Sequence, residues 1–122
     1  MLKPGNRRIW SFPFRPRGTG FHSKGSRIMS TTVTAEAFLA RAIQLATANV
    51  LNSGGPFGAV IVTADGQTFD GVNRVTADND PTAHAEVTAI RRACSGLGTF
   101  DLRGATLYSS CEPCPMCLAS AL

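Results

Sequence analysis

Residues 57–75, FGAVIVTADGQTFDGVNRV, carry the reading on which the fold turns. Phe57–Thr63 is a short, mostly apolar run, and Asp65-Gly66 is a tight-turn signal leading into Gln67–Val75, so the stretch reads as a β-hairpin. Upstream, Thr34 suits an N-cap and Glu36 the first helical turn. Phe38, Leu39, Ala42, Ile43, Ala46 and Val50 fall on one broad face, predicting a helix that Asn52-Ser53-Gly54-Gly55 ends. Downstream, Asp80-Pro81-Thr82 offers helix-start chemistry for a helix from about Ala83 to Cys94, closed by Gly96 and Gly98. Ala105–Ser109 reads as a third strand, and Pro113 marks the start of another helix. The order α, β, β, α, β, α predicts a layered α/β domain with helices packed on a sheet.

The chain has 122 residues, enough for one domain with a tail. Apolar residues make up 43% and charged residues 16%, with no apolar run near the roughly 18 residues of a membrane span, so a soluble domain without a membrane partner is expected. Four cysteines without a signal peptide point to a reducing compartment, with thiols free or bound to metal. The formal charge of +4 divides unevenly. Residues 1–30 hold seven basic side chains and no acid, whereas residues 31–122 hold five basic and eight acidic ones, a net −3. A folded domain of that sign lacks the basic patch of a nucleic-acid binder, and no nucleic-acid partner is expected.

Residues 1–30, with Pro4, Pro13, Pro16 and four glycines, are expected to form a disordered extension. Three readings compete for it: an organelle transit peptide, a basic arm for RNA, or residues without a role upstream of a translation start at Met29. A cytoplasmic location is expected, with organelle targeting by residues 1–28 as the competing reading. At the other end the sequence stops five residues past Cys117 in an apolar, uncapped helix. The domain of residues 31–122 is therefore expected to be cut short at its C-terminus.

Cys111, Cys114 and Cys117 cluster in Cys111-Glu112-Pro113-Cys114-Pro115-Met116-Cys117, about 30 residues after His84 and Glu86. A C-x-x-C pair opening a helix supplies two thiolates at one point, favoured as anions by the helix N-terminus. One histidine from a neighbouring helix start makes three protein ligands, the set of a catalytic zinc with its fourth position open to water. Zinc lowers the pKa of water to roughly 7. Deamination also needs a carboxyl that accepts protons and redelivers them to ring nitrogen and leaving amine, and Glu86 is placed for that shuttle.

His84-Ala85-Glu86 together with Pro113-Cys114-Pro115-Met116-Cys117 resembles the cytidine-deaminase-like zinc deaminase superfamily. With Gly54-Gly55-Pro56-Phe57-Gly58-Ala59-Val60 and Asn79-Asp80-Pro81-Thr82 included, residues 34–122 resemble the bacterial and plant-type guanine deaminases within it. The resemblance implies a three-layer α/β/α sandwich, incomplete at its C-terminus, and hydrolytic deamination of a nucleobase, guanine to xanthine with release of ammonia. It implies one catalytic Zn2+ held by His84, Cys114 and Cys117, with Glu86 as the proton shuttle. It also places Asn73, Phe57 and Ala85 at the substrate and implies a homodimer for the complete domain.

Other readings stand beside these. A tRNA adenosine deaminase, or another nucleoside or cytosine deaminase, shares the signature, as would an inactive zinc-binding fragment. Cys111, Cys114 and Cys117 also spell C-x-x-C-x-x-C, an iron-sulfur pattern for which only Cys94 could be the fourth ligand. Cys111 could alternatively close a structural zinc site, leaving Glu86 without a task. Asn73 could mark a turn or bulge, Phe57 could belong to the core, and Arg91-Arg92 reads as a solvated face.

Overall fold

In the computed structural model, residues 34–122 and the backbone of Ser11–Pro13 are described. The elements are β1 (Ser11–Pro13), α1 (Ala35–Leu51), β2 (Gly58–Val62), β3 (Thr68–Val72), α2 (Val75–Asp78), α3 (Ala85–Leu97), β4 (Thr106–Ser109) and α4 (Pro115–Ala121). The strands form one sheet in the order β1-β4-β2-β3, every neighbouring pair antiparallel. In its central register Ile61 stands between Phe69 and Leu107.

The alternation of β2 sorts its side chains into two cores. Ala59 and Ile61, with Leu107, pack against Ala85, Ala89 and Ala93 of α3 and Ala121 of α4. Val60 and Tyr108 pack on the other face against Ala42 of α1, flanked by Phe38 and Leu45. Helices therefore cover both faces, giving the expected α/β/α sandwich, and the continuous apolarity of residues 59–61 follows from burial on both sides. Among the described helices none is long and apolar enough to cross a membrane.

Two glycines set the layer spacing. A Cβ at Gly58 would lie 2.2 Å from the Ala42 carbonyl oxygen of α1. A Cβ at Gly71 would lie 2.2 Å from the Ala85 carbonyl oxygen and 2.4 Å from the Ala89 nitrogen of α3. Gly71 thus lets the first turn of α3, which follows His84 and carries Glu86, sit directly on β3. Since backbone atoms cannot swing aside, Gly71→Ala is expected to destabilise the domain by about 3 kcal/mol or more. In a domain of this size that lowers the melting temperature by roughly 10 °C or more in a calorimetric scan; an unchanged transition would contradict this packing.

Local signals hold where the chain is governed locally. Thr34 caps α1, its hydroxyl accepting from the Ala37 N–H at 3.3 Å, and Gly98 closes α3 with φ of 66°, although the helix runs to Leu97, past the expected Cys94, with Gly96 inside it. Differences arise where distant contacts decide. The second hairpin strand ends at Val72, short of the predicted Val75, because the Asn73 carboxamide accepts from the Val75 N–H and opens the one-turn helix α2. Asn73 therefore stands just past the end of β3, in the link to α2, with its N–H still donating to the Phe57 carbonyl.

Helix α3 starts at Ala85, two residues after the predicted Ala83, because His84 takes an extended conformation (φ −64°, ψ 158°). Asp80 accepts from the Thr82 N–H and hydroxyl, closing a turn ahead of the helix without capping it. Arg91 donates to Asp80 and Thr82, and Arg92 donates to the Asp70 carbonyl, so the expected solvated pair ties α3 to its neighbours. Helix α4 begins at Pro115, with Cys114 as N-cap. Within the extension expected to be disordered, Ser11–Pro13 runs as an edge strand along β4, a tertiary pairing that no local signal announces. The remainder of residues 1–30 lies outside the described residues.

Candidate metal centre and cleft

Two helix starts meet on one side of the sheet. His84 immediately precedes α3 and Cys114 immediately precedes α4, both with extended backbone. His84 Nδ1 lies 3.6 Å from Cys114 Sγ and 3.5 Å from Cys117 Sγ, and the two sulfurs are 3.6 Å apart. Ordinary zinc bond lengths in a tetrahedron require about 3.8 Å between two sulfurs and about 3.6 Å between sulfur and nitrogen. The observed triangle fits within a few tenths of an ångström, and thiolate with imidazole is a donor set that zinc favours.

Cys117 is fully buried, and that burial, with Glu86 close by, pushes its thiol well above the ordinary range. The Cys114 thiol is shifted down, chiefly because its sulfur accepts the backbone N–H of Cys117 in the first turn of α4. A bound cation would offset the cost of holding two thiolates and a carboxylate together in so little solvent.

Glu86 is only 4% exposed, and each carboxylate oxygen has a partner. The Ser109 hydroxyl donates to Oε1 at 2.9 Å, and the Cys117 thiol donates to Oε2 at 3.4 Å. Sequence reasoning did not single out Ser109. Its signal is present: alternation along β4 puts it on the same face as buried Leu107, where a polar side chain needs a reason.

Beside this cluster lies a cavity of about 190 Å³ lined by Phe57, Asn73, His84, Ala85, Glu86, Cys111, Glu112 and Cys114. All three residues expected at a substrate border it. Phe57 is 40% exposed, so it walls the cavity instead of filling the core, and Ala85 stands at the wall with its own surface buried. Asn73 uses Oδ1 on the Val75 N–H, leaving Nδ2 as its donor end. Cys111 and Glu112 are further wall residues without an expected place there. A larger apolar groove, lined by Ile43, Val50, Leu51 and Pro56, has no titratable lining group and offers no chemistry.

Among the described residues, the group that could hold an ion is His84, Cys114 and Cys117; Cys111 and Cys94 lie outside it. Cys94 packs against the core under α3. Neither the four-cysteine iron-sulfur reading nor the zinc closed by Cys111 finds its ligand set.

Comparison with known proteins agrees with this geometry. The chain is 58% identical over 86 residues to the guanine deaminase of Bacillus subtilis, covering 70% of the chain and 55% of that protein. The crystal structure of the Bacillus subtilis guanine deaminase superposes with a TM-score of 0.70 at 58% identity, over 72% of this chain and 57% of the other. A guanine deaminase structure from Nitrosomonas europaea gives 0.67 at 32% identity, over 75% and 54%. The tRNA-specific adenosine deaminase of Agrobacterium fabrum is 48% identical over 65 residues, covering 53% of this chain and 43% of that protein. The chain thus spans about half the length of these relatives. Residues 32–122 match the cytidine and deoxycytidylate deaminase zinc-binding region, and the chain belongs to that family.

Proposed function

We propose that the domain binds one zinc ion through His84, Cys114 and Cys117 and hydrolytically deaminates a nucleobase, converting guanine and water to xanthine and ammonia. The observation that carries this reading is the three-atom ligand triangle beside a buried carboxylate, both opening onto a cavity with an aromatic wall. The bound ion supplies Lewis acidity that brings the pKa of water towards neutrality.

The remaining work falls to side chains. Phe57 holds the flat base by its face, and Asn73 Nδ2 donates to an acceptor on its edge. Glu86 takes a proton at Oε2 from the attacking water, delivers it to the ring nitrogen, and carries the next proton to the departing amine. Ser109, anchored at Oε1, keeps the working oxygen directed at the cluster. Near-complete burial keeps bulk water from competing for these protons.

The test is ammonia release by the purified, zinc-supplemented chain offered guanine, adenine, cytosine and a tRNA anticodon stem-loop in turn. Guanine is expected to be the substrate. Turnover of the stem-loop alone would move the assignment to the tRNA adenosine deaminases, against the net −3 charge of residues 31–122. A zinc-loaded chain inert towards every base would leave a metal-binding fragment.

A further inference from the structure

Asn49 sits in the last turn of α1, 6% exposed, on a helix whose other buried residues are Ala42 and Ala46. A carboxamide so placed is costly unless its polar atoms are bonded. Both Nδ2 hydrogens are used, one on the Gly55 carbonyl at 2.9 Å and one on the Asn73 carbonyl at 2.8 Å. These acceptors belong to the two segments that form the outer wall of the cleft. Gly55 leads into Pro56-Phe57, and Asn73 carries the substrate-facing amide.

The surroundings are cleared for this amide. A Cβ at Gly54 would stand 2.2 Å from Asn49 Nδ2, and one at Gly55 would stand 3.1 Å from Asn73 Cγ. The Asn49 carbonyl also accepts the Gly54 N–H at 2.9 Å, so side chain and backbone of one residue grip the loop together. Asn73 is then held twice, by its carbonyl on Asn49 and by its Oδ1 on the Val75 N–H, which fixes the direction in which its Nδ2 donates.

We infer that Asn49, which does not line the cleft, is a positioning residue that sets the Asn73 amide where the edge of a planar base requires it. The inference rests on the nucleobase reading above and extends it to a residue outside the cavity. It predicts a binding defect transmitted through Asn73, with the proton-transfer machinery around Glu86 left intact.

Asn49→Ala is expected to raise the KM for guanine about tenfold, the effect of one lost hydrogen-bonded constraint, while kcat stays within about threefold. Zinc content should remain that of the wild type. In an Asn73→Ala background the same substitution should change KM by less than about twofold, because its effect runs through Asn73. Its cost in melting temperature should be equal in both backgrounds. Should Asn49→Ala fail to fold, Asn49→Ser, which keeps one donor, provides the same comparison with an intermediate KM.

An active wild type beside a variant with unchanged KM and a lowered melting temperature would overturn the positioning role alone, leaving Asn49 purely structural. Persistence of the full KM effect without Asn73 would overturn it as well. A folded, zinc-loaded wild type that releases no ammonia from guanine would instead overturn the functional reading, and this inference with it.

Discussion

Glu86→Gln is expected to lower kcat for guanine by about 10²–10⁴-fold while the protein stays folded and retains its zinc. The substitution preserves shape and volume in a site only 4% exposed, so no cavity opens. A glutamine carbonyl at the Oε1 position can still accept from Ser109, and an amide at the Oε2 position can donate towards the Cys117 sulfur that lies 3.4 Å from Oε2. What disappears is the capacity to take up a proton and return it, which an amide lacks near neutral pH. The measurement pairs initial rates of ammonia release with zinc content by atomic absorption. Loss of rate with metal retained isolates the proton shuttle; a kcat within a few-fold of wild type would refute the role. Loss of zinc together with activity would show that Glu86 holds the centre together and would refute its assignment as a shuttle alone.

The parts of this arrangement legible in the sequence are those whose cause is local or tightly spaced. Thr34, Asp65-Gly66 and Gly98 act within a few residues, and the helix start, hairpin and helix stop fall where they point. The cluster of His84, Cys114 and Cys117 was legible because the C-x-x-C spacing at a helix start brings two sulfurs together whatever surrounds it, and a histidine at a second helix start can join them.

The contributions that escaped come from sequence-distant partners. Ser109 meets Glu86 across 23 residues, and Asn49 meets Asn73 across 24. Neither pairing leaves a periodic trace; each shows only as a polar residue at a position that alternation or helical phase assigns to the interior. Proline and Asx chemistry marks a turn, and so points to starts for α3 and α4 two residues ahead of Ala85 and Pro115, where the helices begin. The tertiary demand that His84 and Cys114 face one another decides where helical backbone begins. The edge strand Ser11–Pro13 has the same origin, since the pairing is supplied by β4 across almost a hundred residues.

Removing the metal is expected to have the larger structural consequence. With free zinc at a thousand times its dissociation constant, binding to the native state alone stabilises it by about 4 kcal/mol. For a domain of this size a strong chelator should then lower the melting temperature by roughly 15 °C or more. The physical reason lies in how α3 and α4 are joined. Helix α4 has seven residues, too few to persist by itself, and its buried residues are Cys117 and Ala121. A bond through Cys114, Cys117 and His84 would make that short helix part of α3's packing, whereas without it three polar groups are left facing one another with burial opposing ionisation of Cys117. Cys117→Ala should therefore melt near the chelated wild type and gain nothing from added zinc, because two remaining ligands on separate elements bind too weakly to bridge them. Calorimetric scans of both proteins, with and without chelator, decide the matter. A wild-type transition indifferent to chelation, in protein shown to contain zinc, would mean that the ion does not couple the two helices and that their packing is secured by the apolar contacts of Ala121 alone.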